Sequence, residues 1–163
     1  AEDLSKQEII GKIGTYTYMN WVSDKGQFGK EEYWQTPNDF KKNRGGDCED
    51  WAIYTISLIE AYGKIPNCYV AVWNSHVNII CNINKTFIIF DQDKIRKSAV
   101  LDEDLSIQEN KIELRSWLKD YFREFGLRSD EREIYYLFNS KEIIEFDSKD
   151  DFLEWAMKTA QII

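Results

Sequence analysis

The sequence predicts a single α+β domain over residues 1–163, in which helices gather on one side of an antiparallel sheet. The 163 residues are 43% hydrophobic and 15% aromatic, which is enough for a substantial core. Apolar runs with strand character occupy the middle of the chain, whereas both flanks carry apolar residues at helical spacing. No repeat, linker or low-complexity segment divides the sequence, so we expect one folding unit.

Two helices are predicted in the first part of the chain. Ser5 and Glu8 have the spacing of a capping box. The apolar residues that follow them recur at helical spacing and are Ile9, Ile10, Ile13 and Tyr16. A second helix is predicted to begin at Cys48 and to end at Gly63. Its apolar face comprises Ala52, Ile56 and Ile59.

Three consecutive strands are predicted in the middle of the chain and two more near its end. They cover residues 67–73, 76–83, 86–91, 134–138 and 143–146. An acidic loop follows the first three strands and leads to a helix that ends at Gly126. The apolar stripe of this helix is typical of core packing and consists of Leu114, Trp117, Leu118, Tyr121, Phe122 and Phe125. A last helix is capped at Ser148 and turns Phe152, Trp155 and Ala156 inward.

The three cysteines are too few for a disulfide scaffold, but two of them can meet. A two-residue turn at Asn74 and Ser75 would pair Cys68 with Cys81 at a non-hydrogen-bonded position, where side chains approach most closely. A disulfide there requires an oxidising compartment. In a reducing compartment, or with a longer loop, the same residues are two buried thiols. The sequence alone leaves both alternatives open.

The charge balance argues against two classes of partner. Acidic residues outnumber basic ones by 29 to 21, which gives a formal net charge of −8. Nucleic acids and anionic membrane surfaces attract basic proteins, so we expect neither as a partner. No uninterrupted apolar run approaches the length of a membrane span, so we expect no membrane insertion.

The most informative motif runs from Gly45 to Ala52 and reads Gly-Gly-Asp-Cys-Glu-Asp-Trp-Ala. It places Cys48 at the start of a helix, where the dipole and unpaired N–H groups stabilise a thiolate, so we expect a thiol pKa below about 8.5. The only histidine, His76, begins a strand region that ends at Asp91. A cysteine, a histidine and a following acid are the minimum set for acyl transfer through a thiol. The structural alternatives are a small buried thiol, a packed histidine and a strand-ending aspartate.

These residues resemble the transglutaminase-like cysteine hydrolases, and most closely the bacterial transglutaminase-like cysteine proteinases. The resemblance rests on residues 46–52, 62–63, 75–77 and 89–91, and covers about residues 34–93. It implies a papain/transglutaminase-like core, in which the helix that carries the cysteine packs on an antiparallel sheet that carries the histidine and the aspartate.

The resemblance also implies an activity, that of a cysteine peptidase or amidase with a thioester intermediate and no required cofactor. Cys48 would be the nucleophile, His76 would transfer protons, and Asp91 would orient the imidazole ring. The expected substrate is a protein or peptide. Two alternatives stay open, namely transglutaminase-type acyl transfer to an amine and a non-catalytic binding module of the same fold.

The strand register tests the choice of acid. With a two-residue turn between the second and third strands, Asp91 lies opposite Asn78 and Asp93 lies opposite His76. A four-residue loop would place Asp91 directly opposite His76. Both acids lie on the histidine face in either register. The family pattern favours Asp91, with Asp93 as the second candidate.

An oxyanion needs hydrogen-bond donors, and the backbone N–H of Cys48 is one. A side-chain donor is expected upstream, where the segment 34–37 resembles the aromatic-and-proline segment of the family. Gln35 and Trp34 are the candidates. The structural alternative is a surface amide and a packed aromatic ring.

Asp47 and Glu49 flank the cysteine, and neighbouring carboxylates raise the pKa of a thiol. In the family that the chain resembles, such acids help to bind calcium, which prefers oxygen ligands. We therefore name Asp47 and Glu49 as candidate calcium ligands. The alternative is that Asp47 caps the helix, while Glu49 and Asp50 complement its dipole.

The resemblance suggests a bacterial periplasmic or secreted monomer, although a cytoplasmic location stays open. The sequence begins at Ala1 rather than at methionine, which we interpret as removal of a leader or trimming of the chain.

Overall fold

A six-stranded antiparallel sheet forms the centre of the fold. The computed structural model describes residues 2–17, 20–63, 65–92, 96–124, 126 and 133–162. In chain order its elements are α1 (Glu2–Tyr16), β1 (Asn20–Trp21), α2 (Asp24–Phe28), α3 (Pro37–Asn43), β2 (Gly45–Gly46), α4 (Cys48–Leu58), a π-helical turn (Ile59–Gly63), β3 (Cys68–Trp73), β4 (Val77–Ile83), β5 (Thr86–Phe90), β6 (Arg96–Val100), α5 (Ile107–Glu124), β7 (Ile134–Phe138), β8 (Ile143–Glu145) and α6 (Lys149–Thr159). The strand order of the large sheet is β6-β5-β4-β3-β7-β8, and β1 and β2 form a separate parallel pair.

The three central strands have the register that two-residue turns predict. Ile83 pairs with Thr86 between β4 and β5, and Cys68 pairs with Cys81 between β3 and β4. Cys68 and Cys81 form a disulfide, with their Cα atoms 4.1 Å apart. Of the two alternatives for these cysteines, the structure therefore has the oxidised pair.

Helices cover both faces of the sheet, so the prediction that they gather on one side is wrong. Alternate residues of β3 belong to two separate cores. Val70 and Val72 pack on the face covered by α1, α3 and α4, whereas Ala71 and Trp73 pack on the face covered by α5 and α6. Every residue of β3 and β4 is buried, as is typical of strands covered on both faces.

The first helix, the segment after β5 and the last strand differ from the prediction, and the short elements β1, α2, α3 and β2 were not predicted. The first helix begins at Glu2, so Ser5 lies inside α1 rather than at its cap. Strand β6 occupies part of the predicted loop, at the edge of the sheet beside β5. Its sequence, Arg-Lys-Ser-Ala-Val, lacks the apolar alternation of a strand with one buried face. Strand β8 ends at Glu145, one residue early.

Most of the predicted helix ends are confirmed. The helical path that starts at Cys48 ends at Gly63 after a π-helical turn. The Ser148 side chain accepts a hydrogen bond from the Asp151 N–H at 3.2 Å, which confirms the cap of α6. Gly126 has a left-handed φ of 66°, typical of the residue that follows a helix, and Phe125 lies outside the described residues. No helix within the described ranges is long and apolar enough to cross a membrane.

Candidate active site

The turn before α4 fixes Cys48 at the first position of that helix. The Asp50 carboxylate accepts hydrogen bonds from the Asp47 N–H at 3.3 Å, from the Gln35 N–H at 2.7 Å and from Gln35 Nε2 at 2.6 Å. A Cβ atom on Gly46 would lie 2.5 Å from Asp50 Oδ2 and 2.8 Å from Gln35 Nε2. Glycine is therefore required at this position, because the carboxylate that ties the turn together occupies the space of a side chain.

His76 and Asp91 meet at the end of the sheet. His76 immediately precedes β4 and Asp91 immediately follows β5, with Asp91 continuing the face of Phe87 and Ile89. His76 Nε2 lies 2.6 Å from Asp91 Oδ2, and the two side chains are 11% and 0% exposed. The contact is diagonal, because the observed register places Asp91 beyond Phe90, which pairs with Ile79. Asp93, the second candidate, lies outside the described residues.

Cys48 and His76 line the same cavity of about 280 Å³. Trp34, Glu49 and Tyr135 contribute to its walls. Cys48 reaches the cavity from α4, on one face of the sheet, while His76 reaches it from the strand end. The backbone N–H of Val77, the residue after His76, lies close enough to the Cys48 sulfur to lower the pKa of the thiol. The arrangement thus brings the thiol to the histidine segment and the histidine to the acid.

The thiol is held in its neutral form. Cys48 Sγ donates a hydrogen bond to Glu49 Oε2 at 3.3 Å. Burial raises the pKa of Cys48, and the charge of Glu49 and this hydrogen bond raise it further, against the lowering effect of the Val77 N–H. This direction is opposite to the one predicted from the helix dipole. Desolvation and an adjacent carboxylate outweigh the partial charge of a helix start.

Five carboxylates crowd the turn beside the cysteine. Two overlapping sets have carboxylate oxygens within 4.8 Å of one another: Asp24, Glu32 and Glu49, and Asp24, Asp47 and Asp50. Burial, a hydrogen bond to Glu49 and the charges of the nearby acids together raise the pKa of Asp47 to about 8. Asp24 Oδ1 and Asp47 Oδ1 are buried with no hydrogen-bond partner within the described part of the chain. Such a cluster has the chemistry of a site for a hard cation.

Comparison with protein families assigns residues 4–103 to a family described as "Transglutaminase-like domain". The chain belongs to this transglutaminase-like family. A search of curated proteins gives no match.

Solved structures of LapG from Legionella pneumophila share the transglutaminase-like fold of the chain. One is 16% identical and covers 97% of this chain and 79% of the LapG chain, with a TM-score of 0.57. An EGTA-treated form is 18% identical, covers 95% and 79%, and has a TM-score of 0.58. A calcium-bound form is 17% identical, covers 92% and 77%, and has a TM-score of 0.52. In this chain the fold is built from the helix that carries Cys48, packed on an antiparallel sheet.

The two oxyanion candidates of this transglutaminase-like chain occupy different environments. Gln35 is 2% exposed, and its Nε2 donates to Asp50 and, at 3.1 Å, to the Gly45 carbonyl. Its amide hydrogens are thereby committed to the turn. Trp34 lines the cavity and stacks on Phe138, with ring centroids 6.4 Å apart. Of the two, only Trp34 faces the cavity.

Asp24 and Glu32 are the acids that sequence reasoning missed. The parallel pairing of Trp21 with Gly46 brings the segment before α2 to the cysteine turn. Asp24 is 2% exposed and accepts a hydrogen bond from the Tyr33 N–H. An aspartate that follows a serine at a helix start has the ordinary pattern of a capped helix, so the sequence carries no signal of its second role.

Proposed function

We propose that this protein is a cysteine peptidase or amidase in which Cys48, His76 and Asp91 form a catalytic triad. The observation that carries the proposal is the 2.6 Å contact between His76 Nε2 and Asp91 Oδ2 at the wall of the cavity that Cys48 lines. Membership of the transglutaminase-like family supports it. One domain over residues 1–163 is part of the proposal, since β7 pairs with β3 in the sheet that carries the site.

The proposed mechanism uses both nitrogens of His76. Asp91 holds Nε2, which assigns proton exchange with the thiol to Nδ1. Nδ1 takes the proton of Cys48 while Sγ attacks the substrate carbonyl carbon, because a thiol with a raised pKa is not ionised before the attack. The Cys48 N–H and Trp34 are the proposed oxyanion donors. His76 then protonates the leaving amine, and water hydrolyses the thioester and regenerates the thiol.

Calcium is the proposed ligand of the acidic cluster. The fit rests on the raised pKa of Asp47 and on the buried oxygens of Asp24 and Asp47 that have no hydrogen-bond partner among the described residues. Glu49, Glu32 and Asp50 are the neighbouring oxygen ligands. The calcium-bound LapG structure supports this proposal. When bound, the ion would supply positive charge that offsets the carboxylates beside the nucleophile.

The remaining parts of the proposal concern partners and location. A protein or peptide is the proposed substrate, acted on by a monomer. The Cys68–Cys81 disulfide supports a periplasmic or secreted location, since such bonds persist in oxidising compartments. Transglutaminase-type acyl transfer differs from hydrolysis only in the acceptor of the acyl group, and the same experiment separates the two.

The test is incubation of the protein with a library of peptides and a fluorescent primary amine in calcium buffer, analysed by mass spectrometry. Hydrolysis predicts new peptide termini, whereas acyl transfer predicts amine-tagged products. Cys48→Ala and His76→Ala should abolish either product while the circular dichroism spectrum stays unchanged, and Asp91→Asn should lower the rate more than Asp93→Asn. Products that persist in Cys48→Ala would refute the proposed nucleophile. An inert wild-type protein with an unreactive Cys48 would favour the binding module.

A further inference from the structure

A tyrosine from the face of the sheet that α5 covers, opposite to the face covered by α4, reaches the candidate triad. Tyr121 lies on α5, is 0% exposed, and donates a hydrogen bond from its hydroxyl group to Asp91 Oδ2. The same oxygen contacts His76 Nε2. From the sequence, Tyr121 belongs to the core-packing stripe of its helix, and it also lies beyond residues 4–103, which match the family.

The hydroxyl of Tyr121 has a fixed direction. Trp73 Nε1 donates to Asn78 Oδ1 at 3.0 Å, which fixes the orientation of the Asn78 amide. Asn78 Nδ2 therefore donates to the Tyr121 oxygen, also at 3.0 Å. Because the phenol oxygen accepts from the amide, its single proton points to Asp91. Burial and the charge of Asp91 raise the pKa of Tyr121 above its ordinary value, so the hydroxyl stays a donor.

The contacts of Asp91 come from three directions. Its Oδ1 accepts a hydrogen bond from the Gln92 N–H at 2.8 Å, and its Oδ2 meets both His76 and Tyr121. The Gln92 N–H holds only Oδ1 and leaves Oδ2 to its contacts with His76 and Tyr121. The Tyr121 hydroxyl is therefore a second donor to the carboxylate, and it holds Oδ2 at the imidazole.

We propose that Tyr121 is a positioning residue of the triad, which orients Asp91 and through it selects the tautomer and orientation of His76. The inference rests on the proposed function, in which Asp91 is the residue that orients the imidazole ring of His76. It makes the region after residue 103 part of the machinery, since α5 supplies the hydroxyl. The hydrogen bonds that run from Trp73 through Asn78 and Tyr121 to Asp91 would then link the core under α5 to the imidazole ring.

The test compares Tyr121→Phe with Tyr69→Phe. Tyr69 is a matched control, because it is a buried tyrosine whose hydroxyl donates to a carboxylate, Glu142, at 2.8 Å, away from the cavity. The first readout is the ¹⁵N NMR spectrum of the imidazole above its titration range, which is unambiguous because His76 is the only histidine. We expect one tautomer, protonated at Nε2, in the wild type and in Tyr69→Phe, and a mixture of tautomers in Tyr121→Phe.

The second readout is the kinetics of the best peptide from the library. A hydrogen bond to a charged group is lost, so we expect Tyr121→Phe to lower kcat about 10- to 100-fold with KM unchanged, and Tyr69→Phe to change neither. In an Asp91→Asn background, Tyr121→Phe should have no further effect, because it acts through Asp91.

An unchanged His76 spectrum in folded Tyr121→Phe overturns the inference, as does an equal change in Tyr69→Phe. If Tyr121→Phe fails to fold, Tyr121→Met replaces it; this variant also removes the hydroxyl and should shift the spectrum in the same direction, and an unchanged spectrum again overturns the inference. The NMR readout needs no activity, so a peptide-inactive wild type would count against the proposed function and leave the role of Tyr121 to be decided by the spectrum.

Discussion

Replacing Glu49 by glutamine should make Cys48 more reactive. Burial is the first cause of the raised pKa of the thiol, and Glu49 is the second, through its charge and its 3.3 Å contact with Sγ. Glutamine keeps the size and an acceptor oxygen of the side chain but removes the charge. The variant therefore isolates the electrostatic part of the effect on thiol reactivity.

The structure sets an upper limit for this change. Two unit charges 3.3 Å apart repel by about 5 kcal/mol at an effective dielectric constant of about 20, which corresponds to nearly four decades in the ionisation constant. A thiolate of lower pKa is also a weaker nucleophile, with a Brønsted coefficient of about 0.4–0.5. On a logarithmic scale, the reaction rate therefore rises by only roughly half as much as the ionisation constant. We expect alkylation at pH 7 to accelerate by about 10- to 100-fold.

The assay is the rate of iodoacetamide labelling followed by mass spectrometry, in EGTA so that no divalent cation masks the charge. Cys48 is the single free thiol, because Cys68 and Cys81 are joined. Glu32→Gln is the control, since Glu32 lines the same cavity but is not among the leading causes of the raised pKa of Cys48. An unchanged or slower rate in Glu49→Gln, or equal acceleration in Glu32→Gln, would refute the electrostatic argument.

Three further predictions concern stability. Calcium at 100 times its Kd should add about 2.7 kcal/mol to the free energy of unfolding and raise the Tm by roughly 5–11 °C. EGTA should reverse the increase, and Asp24→Asn should abolish it. A calcium response that is retained in Asp24→Asn would exclude this site. In EGTA, stability should fall as the pH rises from about 4 to about 8, because folding raises the pKa of Asp47 from 3.8 to about 8 and favours its neutral form. Asp47→Asn should flatten this dependence of the Tm, and an equally steep profile would contradict the assignment. Replacing Cys68 and Cys81 by alanine opens a loop with a sequence separation of 13 residues. The free energy of unfolding, measured with urea, should fall by about 3 kcal/mol. An unchanged midpoint would count against a contribution of the disulfide.

The central strands and the cysteine helix were predictable because strong local signals determine them. Two-residue turns fix a register, and a glycine turn before an apolar run marks a helix start. The covering of both sheet faces was also encoded, since the run Cys68–Trp73 has no polar side to expose to water other than its cysteine and tyrosine. Our one-sided prediction overlooked that pattern.

The surroundings of the candidate site were less predictable, because they depend on tertiary contacts. Predicting the direction in which the pKa of Cys48 shifts would require knowing that the thiol is buried and which rotamer Glu49 adopts. The position of a cysteine on a helix specifies neither. The approach of Asp24 to the cysteine turn depends on a two-residue parallel pairing. Tyr121 has the helical spacing of a core residue, and only its packing against the sheet reveals a hydroxyl bonded to Asp91.

The strand order restricts how this protein can be shortened. Strand β3 lies between β4 and β7, and Val70 pairs with Phe138, so a fragment that stopped at residue 103 would lose the neighbour on one side. It would also lose α5 and α6, which cover Trp73. The exposed edge of β3 would contain neither proline nor a charged residue, the features that discourage strand addition between molecules. Deletion series and domain fusions should therefore retain the C-terminal hairpin and both of its flanking helices, since a cut at the boundary of the family match exposes an aggregation-prone strand.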